Sequence, residues 1–132
     1  MINKSDKKNK YLKEISKAKD SCDLKAIADS ICQDFEDKVW GREVYELALI
    51  KANEGVDGAF EILEVAESVC KILDNKVWGR EIYDSAFIEA INDDNFTRIV
   101  ESLVLEDIAD SVSDNLDDED WAEEIGKWAY SS

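Results

Sequence analysis

The sequence predicts an all-α protein, in which an N-terminal helix precedes about three antiparallel helix pairs that stack on one another. The chain has no proline and only five glycines in 132 residues, so little in it interrupts long helices. A segment of 25 residues is duplicated, and apolar residues in both copies recur at spacings of three and four, the period of a helix face. An apolar fraction of 45% supports a folded core in one domain, residues 1–132.

The N-terminal segment is basic in an otherwise acidic chain. Residues 1–25 hold eight lysines and four acids, whereas the whole chain carries a net charge of −16. We expect a lysine-rich helix at about residues 4–19, and one hypothesis is that it folds back over the acidic end until a partner arrives. The segment lacks the apolar core of a secretory signal, and no later stretch resembles a membrane span. Together with an odd number of cysteines, three, this predicts a cytoplasmic protein.

The duplication sets the predicted organisation of the chain. Residues 28–52 align with residues 66–90 at a shift of 38, with 13 of 25 positions identical and the hexapeptide KVWGRE unchanged. A fainter third copy, residues 109–130, follows at a shift of 43. We therefore predict helix pairs at about residues 23–53, 56–92 and 94–131.

Each predicted pair has an apolar stripe on both helices. In the first pair the stripes run from Leu24 to Phe35 and from Trp40 to Ala52, and equivalent residues continue them in the other pairs. Two-helix units of this length resemble HEAT and armadillo repeats, although the proline common in HEAT repeats is missing. The resemblance implies a right-handed stack with a continuous core. The expected N-caps of the second helices are Asp37, Asn75 and either Asp118 or Asp120.

The repeated KVWGRE has two possible explanations. Packing accounts for the tryptophan and the glycine, but an arginine two residues after the tryptophan lies about 140° from the stripe and should be exposed. It could pair with the acid four residues later, as a surface ion pair. It could also belong to a functional ridge that ends before the third copy, where the equivalent residues are Glu123 and Gly126. The ridge would consist of Arg42, Tyr45, Arg80 and Tyr83.

Catalytic residues are scarce. Without histidine, the chain lacks the commonest general base and metal ligand, and it has no glycine-rich phosphate loop. Cys32 and Cys70 occupy equivalent positions that become Ser113 in the third copy, which favours small buried residues over a pair of redox thiols. We predict a protein that is not an enzyme and that needs no cofactor.

Residues 53–64 partly match a calcium-binding loop. Asp57, Gly58 and Glu64 fit the pattern, but Asn53 replaces the first aspartate and Gly55 offers no side-chain oxygen at the third position. We expect a turn between helix pairs and no metal, with calcium binding as the alternative.

Acidic residues are concentrated at the C-terminal end. Residues 99–126 contain eleven acids and no base. Such a surface attracts basic proteins and repels nucleic acid and anionic membranes. It therefore predicts a basic protein as the partner, with no direct nucleic-acid or membrane binding.

In its size, charge and helical character the chain loosely resembles the acidic bacterial immunity proteins that neutralise nuclease toxins in contact-dependent inhibition and bacteriocin systems. The resemblance implies a monomer that binds a basic toxin nuclease one to one and covers its active or nucleic-acid-binding site. The alternatives are a helical scaffold or adaptor for a peptide or protein, and a DNA mimic.

The last helix pair carries the expected contacts with the partner. Trp121 and Trp128 are candidate anchors for the partner. Trp121 is better explained as core, because it matches Trp40 and Trp78, whereas Trp128 has bulk that the other copies lack and could instead cap the open end. The predicted contact residues are Asp114, Asp117, Asp118, Glu119, Asp120, Glu123, Glu124 and Trp128.

Overall fold

The described part of the chain, residues 4–55, 58–93 and 96–130 of a computed structural model, contains seven α-helices and no strand. This confirms the all-helical prediction and the number of helices. No helix in these residues is long and apolar enough to cross a membrane. The helices are α1 (Lys4–Lys17), α2 (Ser21–Gln33), α3 (Lys38–Glu54), α4 (Gly58–Lys71), α5 (Lys76–Asn92), α6 (Arg98–Leu116) and α7 (Glu119–Tyr130).

Neighbouring helices pack mainly in pairs. The most extensive packing joins α2 to α3, α4 to α5 and α6 to α7, and α3 also packs on α4 and α5 on α6. The first helices of the pairs touch one another as well, α2 against α4 and α4 against α6. The second helices, α3, α5 and α7, show no comparable packing within the described residues. Side chains therefore have to bridge the spaces between them.

The turns inside the three pairs are built alike. Asp37 and Asn75 cap α3 and α5 as predicted, accepting hydrogen bonds from the backbone N–H groups of Trp40 and Trp78 at 3.0 and 3.1 Å. Asp118 does the same for α7, so it is the cap and Asp120 is not. One residue just before each cap adopts a left-handed backbone conformation, at the equivalent positions Glu36, Asp74 and Asp117.

The predicted stripes form the core, with the tryptophans at its edge. Val44, Ala48 and Ala52 are buried on α3, as are Leu24, Ile31 and Phe35 in the first pair, and equivalent residues in the other pairs extend this core. The tryptophans that begin the second stripes are half-buried rather than buried.

The lysine-rich helix α1 covers the N-terminal end of the stack. Tyr11 packs edge-on against Phe35 and Trp40, with ring centroids 5.7 and 5.9 Å apart. Lys8 lies over the Trp40 ring at 5.2 Å. The helix packs on α2, which is at the other end of the stack from α6 and α7. The hypothesis that the leader folds over the acidic end is therefore wrong for this structure.

Candidate functional site

Two adjoining grooves lined with carboxylates lie on α4, α6 and α7, and we call them the acidic grooves. The groove between α4 and α6 has a volume of about 310 Å³, and the groove between α6 and α7 has about 550 Å³. Asp110 lines both, and every charged residue along either groove is acidic. The carboxylates of the first groove are Glu64, Glu67, Asp107, Asp110 and Asp114, and those of the second are Glu106, Asp110, Glu119 and Glu123.

The second acidic groove lies where the third copy lacks a large side chain of the second. Gly126, which lines the groove, occupies the position of Tyr83 in the preceding pair, and Tyr83 reaches across to hydrogen-bond with Ser111 on α6. No equivalent side chain extends from α7 at this position, and carboxylates line the groove instead.

The predicted contact acids do not form one surface. Asp114 lies in the first groove, and Glu119 and Glu123 lie in the second. Glu124 points to the opposite side of α7, beside Trp128. The remaining three lie at the α6–α7 turn or immediately after it: Asp117, Asp118 and Asp120. Because helical residues turn by 100° each, consecutive acids in sequence separate onto different faces.

Asp118 caps α7 and forms an ion pair with Arg80. Its carboxylate accepts the N–H of Trp121 at 3.0 Å and the Arg80 guanidinium at 2.5 Å. The backbone hydrogen bond, followed by that to Arg80, holds the pKa of Asp118 below its usual range. The side chain is therefore less available to a partner than the exposed acids beside it.

The two repeated arginines bridge neighbouring helix pairs. Arg42 stacks on the Trp78 ring with its guanidinium carbon 4.4 Å from the centroid, and Arg80 stacks on Trp121 at 4.5 Å. Each arginine thus contacts the tryptophan of the next copy, across the space between second helices. Arg42 also lies 3.7 Å from Glu46, the acid predicted from the sequence. Both arginines are exposed, as predicted from the sequence. Their contact with a tryptophan is a structural role that was not predicted.

Two members of the predicted ridge, Tyr45 and Tyr83, are completely buried and cannot belong to an exposed ridge. Tyr45 donates a hydrogen bond to Asp29, and burial followed by this bond raises its pKa. Tyr83 lies 2.6 Å from the Ser111 hydroxyl, and burial raises its pKa to about 12 although hydrogen bonds oppose the shift. Neither ring is on the surface, so the ridge as predicted is not assembled.

The aromatic anchors occupy a third groove, between α5 and α7. Trp128 is 54% exposed and packs edge-on against Phe87, with centroids 5.8 Å apart. Trp121, half-buried, and Ile125 line the same groove of about 460 Å³. Trp128 is thus exposed, but it does not lie in the acidic grooves.

Cys32 and Cys70 are buried against the repeated glycines. A Cβ added at Gly41 would overlap Sγ of Cys32, and one at Gly79 would overlap Sγ of Cys70. Burial raises the pKa of both thiols, which disfavours the reactive thiolate. This geometry accounts for the cysteines as small buried residues, and both are free thiols.

The segment that partly matches a calcium loop is divided between helices. Asn53 is in α3, where its amide donates to the Leu49 carbonyl at 3.0 Å, and Glu64 is in α4, where its carboxylate lies 3.5 Å from the Cys22 thiol. Asp57 lies outside the described residues. No group of three or more possible metal ligands occurs within the described ranges.

The contribution of the second pair to the acidic grooves was not predicted from the sequence. Glu64 and Glu67 are far in sequence from residues 99–126, but α4 packs on α6 and brings them together. The equivalence of Glu67 with Asp110 was a usable signal, since an acid recurs there in each copy. Comparison of the chain with protein-family models, curated proteins and solved structures gives no match.

Proposed function

We propose that this protein is an acidic, non-catalytic binder that neutralises a basic protein, most specifically a toxin nuclease, by covering its active or nucleic-acid-binding surface. The observation that supports this proposal is the pair of acidic grooves, whose charged lining residues are all carboxylates. A surface of one sign on packed helices attracts a basic partner at long range and accelerates association.

The proposal includes an architecture. We propose that the helix pairs form a right-handed stack of the HEAT or armadillo kind, which holds the carboxylates of α4, α6 and α7 at fixed positions. A rigid support limits the entropy lost when the partner binds. The protein acts in the cytoplasm as a monomer, with one partner molecule per chain and no cofactor.

A direct test is capture of the partner from a lysate of the source cell. Tagged protein is incubated with lysate at low and at high salt, and the eluted proteins are identified by mass spectrometry. We expect one strongly basic protein that is retained at low salt and released at high salt, because salt screens exposed charges. Several proteins of mixed charge that are retained in high salt would favour a scaffold instead.

Charge reversal then locates the surface. Asp107, Asp110 and Asp114 are exposed on α6, and their change to lysine should weaken the captured partner's affinity by about tenfold or more and reduce its salt dependence. If the partner is a nuclease, the wild-type protein at equimolar concentration should stop cleavage and the triple variant should not. The matched control changes three exposed acids at the other end of the stack: Glu14, Asp34 and Glu36.

The outcomes separate the candidates. Equal affinity of the triple variant, the control and the wild type would contradict the proposal that the acidic grooves bind the partner. A basic DNA-binding protein without nuclease activity in the eluate would indicate a DNA mimic. The scaffold alternative is favoured by the exposed Trp128 beside Phe87, and Trp128→Ala would then abolish binding while the triple variant would not.

A further inference from the structure

Both buried and exposed positions are shared by the two copies of the repeat. Packing accounts for the shared buried residues, such as Cys32, Tyr45 and Ala48, although three large buried apolar positions differ between the first and second pairs: Ile31 and Val69, Phe35 and Leu73, Val44 and Ile82. Burial does not account for identical residues that are exposed.

Several exposed positions are also identical in the first and second copies of the repeat. The valine of KVWGRE is 76% exposed as Val39 and 79% exposed as Val77. The isoleucine eleven residues later is also exposed, at 57% for Ile50 and 48% for Ile88. Exposed apolar side chains contribute little burial to folding, so the stability of this chain does not account for them.

Packing does explain the other residues of the hexapeptide. The tryptophan contacts a cation from the preceding part of the chain, Lys8 for Trp40 and Arg42 for Trp78. The glycine makes room for a cysteine sulfur, and the arginine stacks on the next tryptophan. The exposed lysine, valine and glutamate have no such role. The repeated residues that internal contacts leave unexplained are Lys38, Val39, Glu43 and Ile50 on α3, and Lys76, Val77, Glu81 and Ile88 on α5.

These residues form a line along each helix. At 100° per residue, the positions of Val39, Glu43, Glu46 and Ile50 fall within about 60° of one another, and a rise of 1.5 Å per residue puts Val39 about 16 Å from Ile50. The line on α5 has the same order of apolar, acidic, acidic and apolar residues: Val77, Glu81, Asp84 and Ile88. Stacking of Arg42 on Trp78 holds α3 and α5 side by side.

We propose that the exposed faces of α3 and α5 form a two-part protein-binding surface. Its occupant is a segment of a partner protein that presents basic side chains between two apolar ones about 16 Å apart. A base of the partner faces the repeated acid of each line, Glu43 or Glu81, and its apolar residues cover the valine and the isoleucine. The surface stops at the second pair, since Asp120 replaces the valine in the third. It lies on other helices than the acidic grooves and does not depend on them.

A synthetic helical peptide with two leucines eleven residues apart and two lysines between them is a suitable probe. Binding to the full chain is measured by fluorescence anisotropy, and NMR chemical shifts locate the peptide. We expect shifts centred on the exposed faces of α3 and α5, and weaker binding of a scrambled peptide of the same composition. Equal binding of the scrambled peptide would overturn the proposal.

Two double variants test each part of the chemistry. Val39→Ser with Val77→Ser, and Glu43→Lys with Glu81→Lys, should each weaken the peptide's affinity by about tenfold, a change of about 1.4 kcal/mol. All four positions are exposed, so the fold should tolerate these changes.

The matched control is Asp107→Lys with Asp110→Lys, which changes the net charge equally on the acidic grooves. We expect this control variant to weaken the affinity for the peptide by less than about threefold, because remote charges are screened by salt. Equal loss in the two charge variants would show general attraction by an acidic protein and would overturn the proposed surface. An unchanged affinity in the valine variant would do the same.

Discussion

At the residue scale, each repeated glycine faces a cysteine sulfur across its helix pair. Gly41 and Gly79 have no room for a Cβ because Cys32 and Cys70 lie against them. The third pair has Ala122 and Ser113 at these positions, so both residues of the contact change together. Ala122 adds a methyl group where the other pairs have glycine, and Ser113 has a smaller oxygen where they have sulfur, as close packing requires.

This pairing predicts that Gly41→Ala lowers the free energy of unfolding by about 1–3 kcal/mol, because it overpacks the contact with Cys32. The double variant Gly41→Ala with Cys32→Ser should recover part of that loss, since it reproduces the third pair. Denaturant titrations measure both. Gly126→Ala is the control, because no atom lies within 4 Å of its added Cβ. A loss of stability for Gly126→Ala equal to that for Gly41→Ala would contradict the explanation.

The buried Tyr83 should make the folding stability sensitive to alkaline pH. In the folded protein its pKa is raised from 10.0 to about 12, so its stabilising contribution is complete below pH 10 and decreases as the pH rises toward 12. Tyr83→Phe should cost about 1–2 kcal/mol at neutral pH, since it removes the hydroxyl that bonds to Ser111 and Asn115. The difference in stability between wild type and variant should shrink from pH 10 to 12 in denaturant titrations. A constant difference would contradict this role.

Residue positions were predictable from the sequence only where one helix determines them. The exposure of Arg42 and Arg80 follows from their angle to the apolar stripe, and the structure confirms it. The burial of Tyr45 and Tyr83 depends on contacts between helices: Tyr45 donates to Asp29, which also bonds to Ser68 of the next pair, and Tyr83 bonds to Ser111 of the next pair. A helical angle carries no information about that neighbour, so the exposed ridge was predicted incorrectly.

At the element scale, the arginines connect second helices that otherwise have little contact. We predict that Arg80→Ala and Trp121→Ala together cost less than the sum of the two single changes, with a coupling of about 0.5–1 kcal/mol. A double-mutant cycle on unfolding free energies measures it. The Arg42 and Trp78 cycle should give a similar value, and no coupling in either cycle would contradict the bridge.

Asp118 gives α7 a sensitivity to acid. Its folded pKa is lowered from 3.8, so its stabilising contribution is complete above pH 3.8 and is lost as the pH falls through the folded value. Asn75 caps α5 in the equivalent place without a charge, so Asp118→Asn should keep the cap and lose the ion pair with Arg80. The stability advantage of the wild type should shrink below pH 3.8. An advantage that stays constant with pH would contradict this assignment.

Helices, turns and caps were the most predictable elements. Apolar spacing gave the seven helices, and the caps at Asp37 and Asn75 follow from polar residues immediately before the second helices. The acidic grooves were only partly predictable, because they need the packing of α4 on α6 as well as the acids near the C-terminus. Contacts between pairs are long-range, and the repeat alone does not specify them.

At the scale of the whole molecule, charge is separated along the stack. The exposed lysines of α1 lie at one end and the acidic grooves lie at the other. With a net charge of −16, repulsion among carboxylates opposes folding, and salt screens that repulsion.

This charge predicts opposite effects of salt on folding and on binding. Between about 0.01 and 0.5 M salt, where the Debye length shortens from about 30 Å to a few Å, the free energy of unfolding should rise and the affinity for a basic partner should fall. Denaturant titrations and binding titrations at matched salt concentrations measure both effects. A folding stability that decreases with added sodium chloride would contradict dominance by carboxylate repulsion.

The contacts between cations and tryptophans run in one direction along the helix pairs. Lys8 covers the first tryptophan, two arginines cover the next two, and Glu123 occupies the position that is an arginine in the other copies. Within the described residues, only the middle pair both receives an arginine and supplies one. A further copy of the middle pair would therefore keep these contacts on both of its sides, which a copy of the first or the third pair would not.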